Sequence, residues 1–230
     1  MNNMRRAVVL LSGGLDSATA AAVARSEGYE IFALTIDYNQ RHRIEIESAK
    51  RIAVALNIAQ HLIMPLNLRL FGGSSLTGDL EVAKNVPLNS IGNSIPTSYV
   101  PARNIIFLSI ALAYAETIQA EKIYIGVSAI DYSGYPDCRP EFLAAFENMA
   151  NLATKTGTEG KKISIAAPLV RLDKTATIKL GLSLGLDYSL THTCYDPVSG
   201  GVACGCCESC LLRRQAFSNA GIKDPIKYAE

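Results

Sequence analysis

The stretch "RRAVVLLSGGLDSATAAAVARSEG", residues 5–28, decides the architecture. Its apolar run to Leu11 is short and Val-bearing, which suits a buried strand, and a glycine pair follows directly. "DSATAAAVARSEG" then reads as a helix closed at Gly28, a residue type fitted to the left-handed position just past a helix end. The unit repeats. "YEIFALTID" (29–37) is a second strand, and "HRIEIESAKRIAVALN" (42–57) carries Ile44, Ala49, Ile52, Ala53 and Leu56 at near-helical spacing. "QHLIMPLN" (60–67) is a third strand. A β-α-β-α-β beginning argues for parallel strands joined by right-handed crossovers.

Further along, residues 67–99 are rich in Gly, Ser, Asn and Pro and read as a long loop, a kind that is usually functional or mobile. "VPARNIIFLSIALAYAETIQ" (100–119) predicts a helix with Pro101 in its first turn, and "KIYIGV" (122–127) a fourth strand. "RPEFLAAFENMANLATKT" (139–156) predicts one helix, "KISIAAPL" (162–169) a fifth strand, "DKTATIKLGLSLG" (173–185) a helix capped by Asp173, and "ESCLLRRQAFSNAG" (208–221) a last helix. The expected fold is α/β, with a doubly wound, mostly parallel five-stranded sheet. Residues 1–190 form its main unit, and 191–230 a small cysteine-bearing segment packed on it.

Composition narrows the function. Lys and Arg total 22 against 21 for Asp and Glu, so no basic face for direct nucleic-acid binding is expected. With 49% hydrophobic residues the chain can bury a sizeable core. The apolar run Ala7–Leu11 is too short for a signal peptide, and no window reaches the roughly 18 apolar residues of a membrane helix. A cytoplasmic protein is expected. Its six cysteines then favour metal binding or catalysis over disulfides.

The loop "SGGLDSA" (12–18) follows the first strand, where open parallel sheets bind ligands. Two glycines let backbone N–H groups turn toward an anion, Ser12 and Ser17 offer hydroxyls, and the next helix points its N-terminus there. Spacing and the missing lysine separate it from a Walker-type P-loop. The motif resembles S-G-G-x-D-S of the PP-loop ATP pyrophosphatases, which cleave ATP between its α- and β-phosphates. "LTIDYNQRHRIE" (34–45), "YVPARNIIFLSIALAYAE" (99–116) and "DYSGYPDCRPEF" (131–142), taken with the cysteines, resemble the 7-cyano-7-deazaguanine synthase (QueC) family over essentially the whole chain. Leu15 and Ala18 stand where that family often has Gln and Thr, and Asn39 where it usually has Gly.

The resemblance implies an adenine nucleotide alpha hydrolase-like fold and an ATP-dependent carbon–nitrogen ligase. It would convert 7-carboxy-7-deazaguanine and ammonia to the nitrile through an adenylate and an amide. ATP enters as co-substrate with Mg2+, and the chain is expected to form a homodimer. Leu11, Ser12, Gly13, Gly14, Leu15, Asp16, Ser17 and Ala18 are then expected to hold the nucleotide, and Lys174 to neutralise the leaving pyrophosphate. Arg103 reads equally as a carboxylate or phosphate ligand and as a loop cap. Asp131 and Asp137, in a loop with Tyr132 and Tyr135, are candidates for reading the N–H donors of the deazaguanine. Arg41 and His42 fit either nucleotide contacts or a helix cap, and His61 and Cys138 read as packing residues.

"ACGCCESC" (203–210) places Cys204, Cys207 and Cys210 at C-x2-C spacings. Cys206 and Cys207 are adjacent, so their side chains diverge. Cys194 in "THTCYDP" is the natural fourth ligand, and the family shows the same pattern. One structural Zn2+ per chain is expected, with an iron–sulfur centre as the minor rival. Two other functions stay open: a PP-loop tRNA thiolase or amidotransferase partner, and a nonenzymatic zinc-module binding protein.

Overall fold

The computed structural model describes residues 4–41, 43–92, 94–128 and 135–229. Five strands, β1 (Arg6–Leu10), β2 (Glu30–Asp37), β3 (Gln60–Pro65), β4 (Lys122–Tyr124) and β5 (Ser164–Ala166), form one sheet of order β3-β2-β1-β4-β5, with every pair parallel. The order reverses between β1 and β4, and a switch point of this kind leaves a crevice at the strands' C-terminal ends.

Both faces are covered, as wholly parallel sheets require. Val8, Leu10, Leu34 and Ile36 pack with α3 (Arg103–Thr117) and α4 (Pro140–Ala153) through Leu108, Ala111, Leu143 and Phe146. Ala7, Val9, Leu11 and Ala33 face the other way. They meet α1 (Leu15–Ser26), α2 (Ile44–Ala55), α6 (Lys174–Ser183) and α7 (Glu208–Asn219) through Ala18, Ala22, Ile52, Ile178 and Phe217. Because α1 is nearly all Ala on its inner side, it approaches its neighbours closely. Gly181 of α6 leaves room for the Tyr188 phenol, which donates to Thr177 O at 3.0 Å and meets Thr19 Oγ1 at 2.7 Å.

Two helices differ from the sequence expectation. Helix α3 starts at Arg103 rather than around Pro101, because Ala102 takes a left-handed φ of 56° and turns the chain into it. The 139–156 segment breaks at Thr154, whose extended backbone and side chain cap the four-residue α5 (Lys155–Thr158) by accepting the Gly157 N–H. Among the described residues, the outer edge of β5 carries no further strand. Asn151 of α4 instead accepts from Ile163 N–H and donates to Ile163 O, while Glu147 accepts from Ile165 N–H.

The C-terminal segment is pinned by Arg213, which is 1% exposed. Its guanidinium holds both oxygens of Asp224 at 2.9 and 3.0 Å and also reaches Thr191, Thr193 and Tyr188 O. No helix of the described residues is long and apolar enough to cross a membrane.

Candidate functional site

Residues 12–17 lie at the switch point. The Ser12 N–H donates to Ser17 Oγ at 3.1 Å, and the Ser17 hydroxyl donates to Gly14 O at 3.1 Å, which closes the turn on itself. Gly13 has φ of 88°, and a Cβ there would collide with the backbone of Glu45 and Ala49, so only glycine lets α2 lie so close. Gly14 N-caps α1 without any side-chain cap, leaving the N–H groups of the first turn to the crevice, as an anion site needs. The loop is held from behind by the His192 N–H, which donates to Gly13 O at 2.9 Å.

From the far side, Lys174 opens α6, where a cation is unfavourable for the helix dipole. Its Nζ is held by Asp16 Oδ1 and Oδ2 at 2.9 and 2.8 Å, and the lysine is only 8% exposed. Gly126, just after β4, lies against the start of α1, and a Cβ would sit 2.7 Å from Asp16 C and Ser17 N. Gly126→Ala must therefore push the phosphate loop aside. It is expected to cost about 1–3 kcal/mol, read as a shift of the urea midpoint.

Above the loop opens a cavity of about 230 Å³. Ser12, Gly14, Asp16, Ser17 and Lys174 form its polar end, while Leu34, Ile36, Tyr38, Phe107 and Tyr135 give it apolar and aromatic walls. Leu11 and Leu15 also line it. Gly13 and Ala18 do not; Gly13 faces α2 and Ala18 is buried in the core. Such a space, with a charged end and flat walls, fits a nucleotide phosphate beside a planar heterocycle.

Arg103 lines the same cavity, with its guanidinium 6.0 Å from the Tyr38 ring centroid. Burial works against its charge, but Tyr38, Tyr135, Tyr195 and Asp137 more than offset this and hold it protonated. Its guanidinium meets the Tyr38 phenol and lies close enough to Glu45 to favour that carboxyl's ionised form, so the cavity carries a fixed positive charge on this wall.

Asp137 has another task. Its Oδ2 accepts the Asn104 N–H at 3.1 Å, and Asn104 Nδ2 donates back to Asp137 O, which caps the start of α3 rather than presenting a carboxylate to the cavity. Asp137→Ala is expected to cost about 1–2 kcal/mol in urea unfolding through loss of that cap. Asp131, Tyr132 and His42 lie outside the described residues. Burial pushes the Cys138 thiol up to about 12, and Asn104 Nδ2 donates to its sulfur, so it stays a neutral wall. His61 Nε2 meets Thr35 Oγ1 at 2.7 Å across the β2–β3 pair.

Several lining residues are not singled out in the sequence. Gln40 and Glu45 lie in the 34–45 stretch that carries the family resemblance, with no individual role assigned there. The fourth strand, expected over 122–127, ends at Tyr124, so Gly126, Val127 and Ser128 fall beyond it in the cavity wall.

Beside the cavity, the Sγ atoms of Cys194, Cys204, Cys207 and Cys210 all lie within 4.8 Å of one another, and Cys206 is outside the group. A tetrahedral thiolate site with bonds of ~2.3 Å has sulfur–sulfur edges of ~3.8 Å, and Cys204 and Cys210 are already 4.0 Å apart. Backbone N–H groups of Asp196 and Cys204 donate to Cys194 Sγ, and that of Cys207 to Cys204 Sγ, as befits sulfurs carrying negative charge. Four thiolates at this spacing repel, so the set needs a cation to ionise together. The donor set therefore fits a closed four-coordinate metal. The long loop is fastened to it: Lys84 bridges Cys207, the Asn85 N–H donates to Cys206 O, and Lys84 Nζ pairs with Asp196 at 2.7 Å.

A five-stranded parallel sheet of this order, with S-G-G-x-D-S at its switch point, defines the adenine nucleotide alpha hydrolase-like class of PP-loop α/β proteins. Two solved structures share the fold. NMN synthetase from Francisella tularensis matches at TM-score 0.51 and 20% identity, covering 96% of this chain and 79% of that one. A predicted subunit of tRNA methyltransferase from Methanocaldococcus jannaschii matches at 0.50 and 15%, covering 99% and 93%. The model of the queuosine biosynthesis protein QueC matches residues 6–221, and this chain belongs to that family. Among its relatives are proteins named 7-cyano-7-deazaguanine synthase. The one from Syntrophobacter fumaroxidans is 57% identical over 97% of this chain and 96% of its own length, and the one from Myxococcus xanthus 52% identical over 99% of each.

Proposed function

We propose that this chain is an ATP-dependent ligase that converts 7-carboxy-7-deazaguanine and ammonia to 7-cyano-7-deazaguanine. The observation that carries the reading is one cavity in which the 12–17 loop and the Lys174–Asp16 pair adjoin aromatic walls and the Arg103 guanidinium. The names of relatives above 50% identity support the 7-cyano-7-deazaguanine product. In this reading the substrate carboxylate attacks the α-phosphorus of ATP, supplied with Mg2+, and pyrophosphate leaves toward Lys174 and the first-turn N–H groups of α1. Those donors are fixed before charge develops, which is where electrostatic stabilisation is most effective. Arg103 holds the carboxylate until it attacks. Ammonia then displaces AMP to give the amide, and a second ATP activates the amide oxygen for elimination to the nitrile. The four cysteines hold one Zn2+ whose task is structural.

Incubation with ATP, Mg2+, ammonium and 7-carboxy-7-deazaguanine is expected to yield AMP and the nitrile by mass spectrometry. Absence of substrate-dependent AMP would overturn the reading.

A further inference from the structure

One carboxylate in the cavity is given no task by the ligase reading. Glu45, in the first turn of α2, sits next to the phosphate loop, its backbone carbonyl packed against Gly13. Oε1 of Glu45 accepts from Gln40 Nε2 at 2.8 Å, and Gln40 is itself fixed because its Oε1 accepts the Tyr38 N–H at 3.0 Å. Oε2 has no hydrogen-bond partner among the described residues. A carboxylate oriented through one oxygen, unbonded at the other among the described residues, and lining the cavity beside the 12–17 loop is built to accept a proton.

We propose that Glu45 is the general base of the amide-forming step and accepts the proton shed by the incoming ammonia. The nitrogen–carbon bond forms as the bond from the acyl carbon to the adenylate oxygen breaks. AMP leaves with that electron pair, and the nitrogen's surplus proton passes to Glu45 Oε2 and then to solvent. This inference rests on the ligase reading above.

Burial pushes the Glu45 carboxyl up to about 7, against the Gln40 hydrogen bond and the Arg103 charge, which both favour ionisation. A base poised near neutrality combines adequate ionisation with basicity. Of the titratable and charged groups that line the cavity with it, from Asp16, Tyr38, Arg41 and Arg103 to Tyr135, Cys138, Lys174, His192, Cys194, Tyr195 and Arg213, Arg103 and Tyr38 act on it directly. Since only the ionised form accepts a proton, turnover per unprotonated ammonia falls as pH drops below about 7.

The test compares two reactions of Glu45→Gln. Exchange of labelled pyrophosphate into ATP, dependent on 7-carboxy-7-deazaguanine and run without ammonia, reports adenylation alone. Nitrile formation reports the ammonia step. The expected result is a loss of about 100-fold in nitrile formation, at least 20-fold greater than any loss in exchange, with the acid limb near pH 7 gone. Glu45→Asp, which keeps a carboxylate one methylene shorter, is expected to recover part of the rate and the acid limb. Parallel losses in both reactions, or nitrile formation within fivefold of wild type, would overturn the proposal. Absence of exchange in the wild-type protein would instead overturn the ligase reading itself.

Discussion

Lys174→Met is expected to lower substrate-dependent AMP formation by about 10³-fold, the scale of removing one preorganised donor from a developing charge. The lysine is nearly enclosed, its ammonium held by both oxygens of Asp16 at the mouth of α1. Removing it takes away the counter-charge for pyrophosphate and also leaves the Asp16 carboxylate facing the phosphates. Stability changes far less, by about 1 kcal/mol, because that carboxylate keeps 27% of its side-chain surface in water. Asp16→Asn combined with Lys174→Met is expected to restore the unfolding midpoint and not the rate. Steady-state AMP release and urea unfolding of the three proteins separate the two effects. A Lys174→Met protein within tenfold of wild type removes this lysine from the chemistry.

Cys194→Ala is expected to abolish metal binding, while Cys206→Ala keeps one ion per chain by elemental analysis. A structural thiolate site contributes on the order of 10 kcal/mol to folding. Even half of that moves the melting temperature of a chain this size by about 10–20 °C. Cys194 belongs to the segment whose His192 N–H holds the phosphate loop and whose Thr193 O accepts the Ser209 hydroxyl of α7. Loss of the ion is therefore expected to be felt at the 12–17 loop as well as at the C-terminus. Cys206 neighbours Cys204 and Lys84, but its sulfur lies outside the group of four, so its thiol is not needed as a ligand. Metal retained by Cys194→Ala, or lost by Cys206→Ala, contradicts this ligand set.

Features carried by local pattern were legible in the sequence. The alternation of apolar runs with helical spacing locates all five strands and the principal helices, and "SGGLDS" falls at the switch point of the sheet. The cysteine spacing, with the upstream Cys194, picks out the four sulfurs that come together. Features that depend on distant packing were not legible. Nothing near Glu45 in the chain shows that its helix backs onto Gly13, and nothing near Asp137 shows that it caps α3 from 33 positions downstream. The 67–99 loop carries turn residues, but its fastening to the cysteine segment arises from pairings across more than a hundred residues. The left-handed Ala102 also goes against its residue type, since a Cβ there costs about 1–2 kcal/mol. Its surroundings impose it: the Tyr99 phenol accepts the Ala102 N–H, and Asp137 fixes the turn that follows. By contrast Asn39, also left-handed with φ of 61°, is a residue that tolerates that region.

The treatment of β5 constrains how copies of this chain can assemble. In Asn151 a side-chain carboxamide imitates a peptide group, giving and receiving the two hydrogen bonds that a neighbouring chain would otherwise exchange with Ile163. Glu147 occupies the next donor along. The β-sheet is thus complete at this flank without a partner. Two molecules cannot fuse their sheets there, so any pairing that uses this side must go through helix and loop surfaces. The same plugging denies templated strand addition, the usual start of aggregation, a foothold on β5.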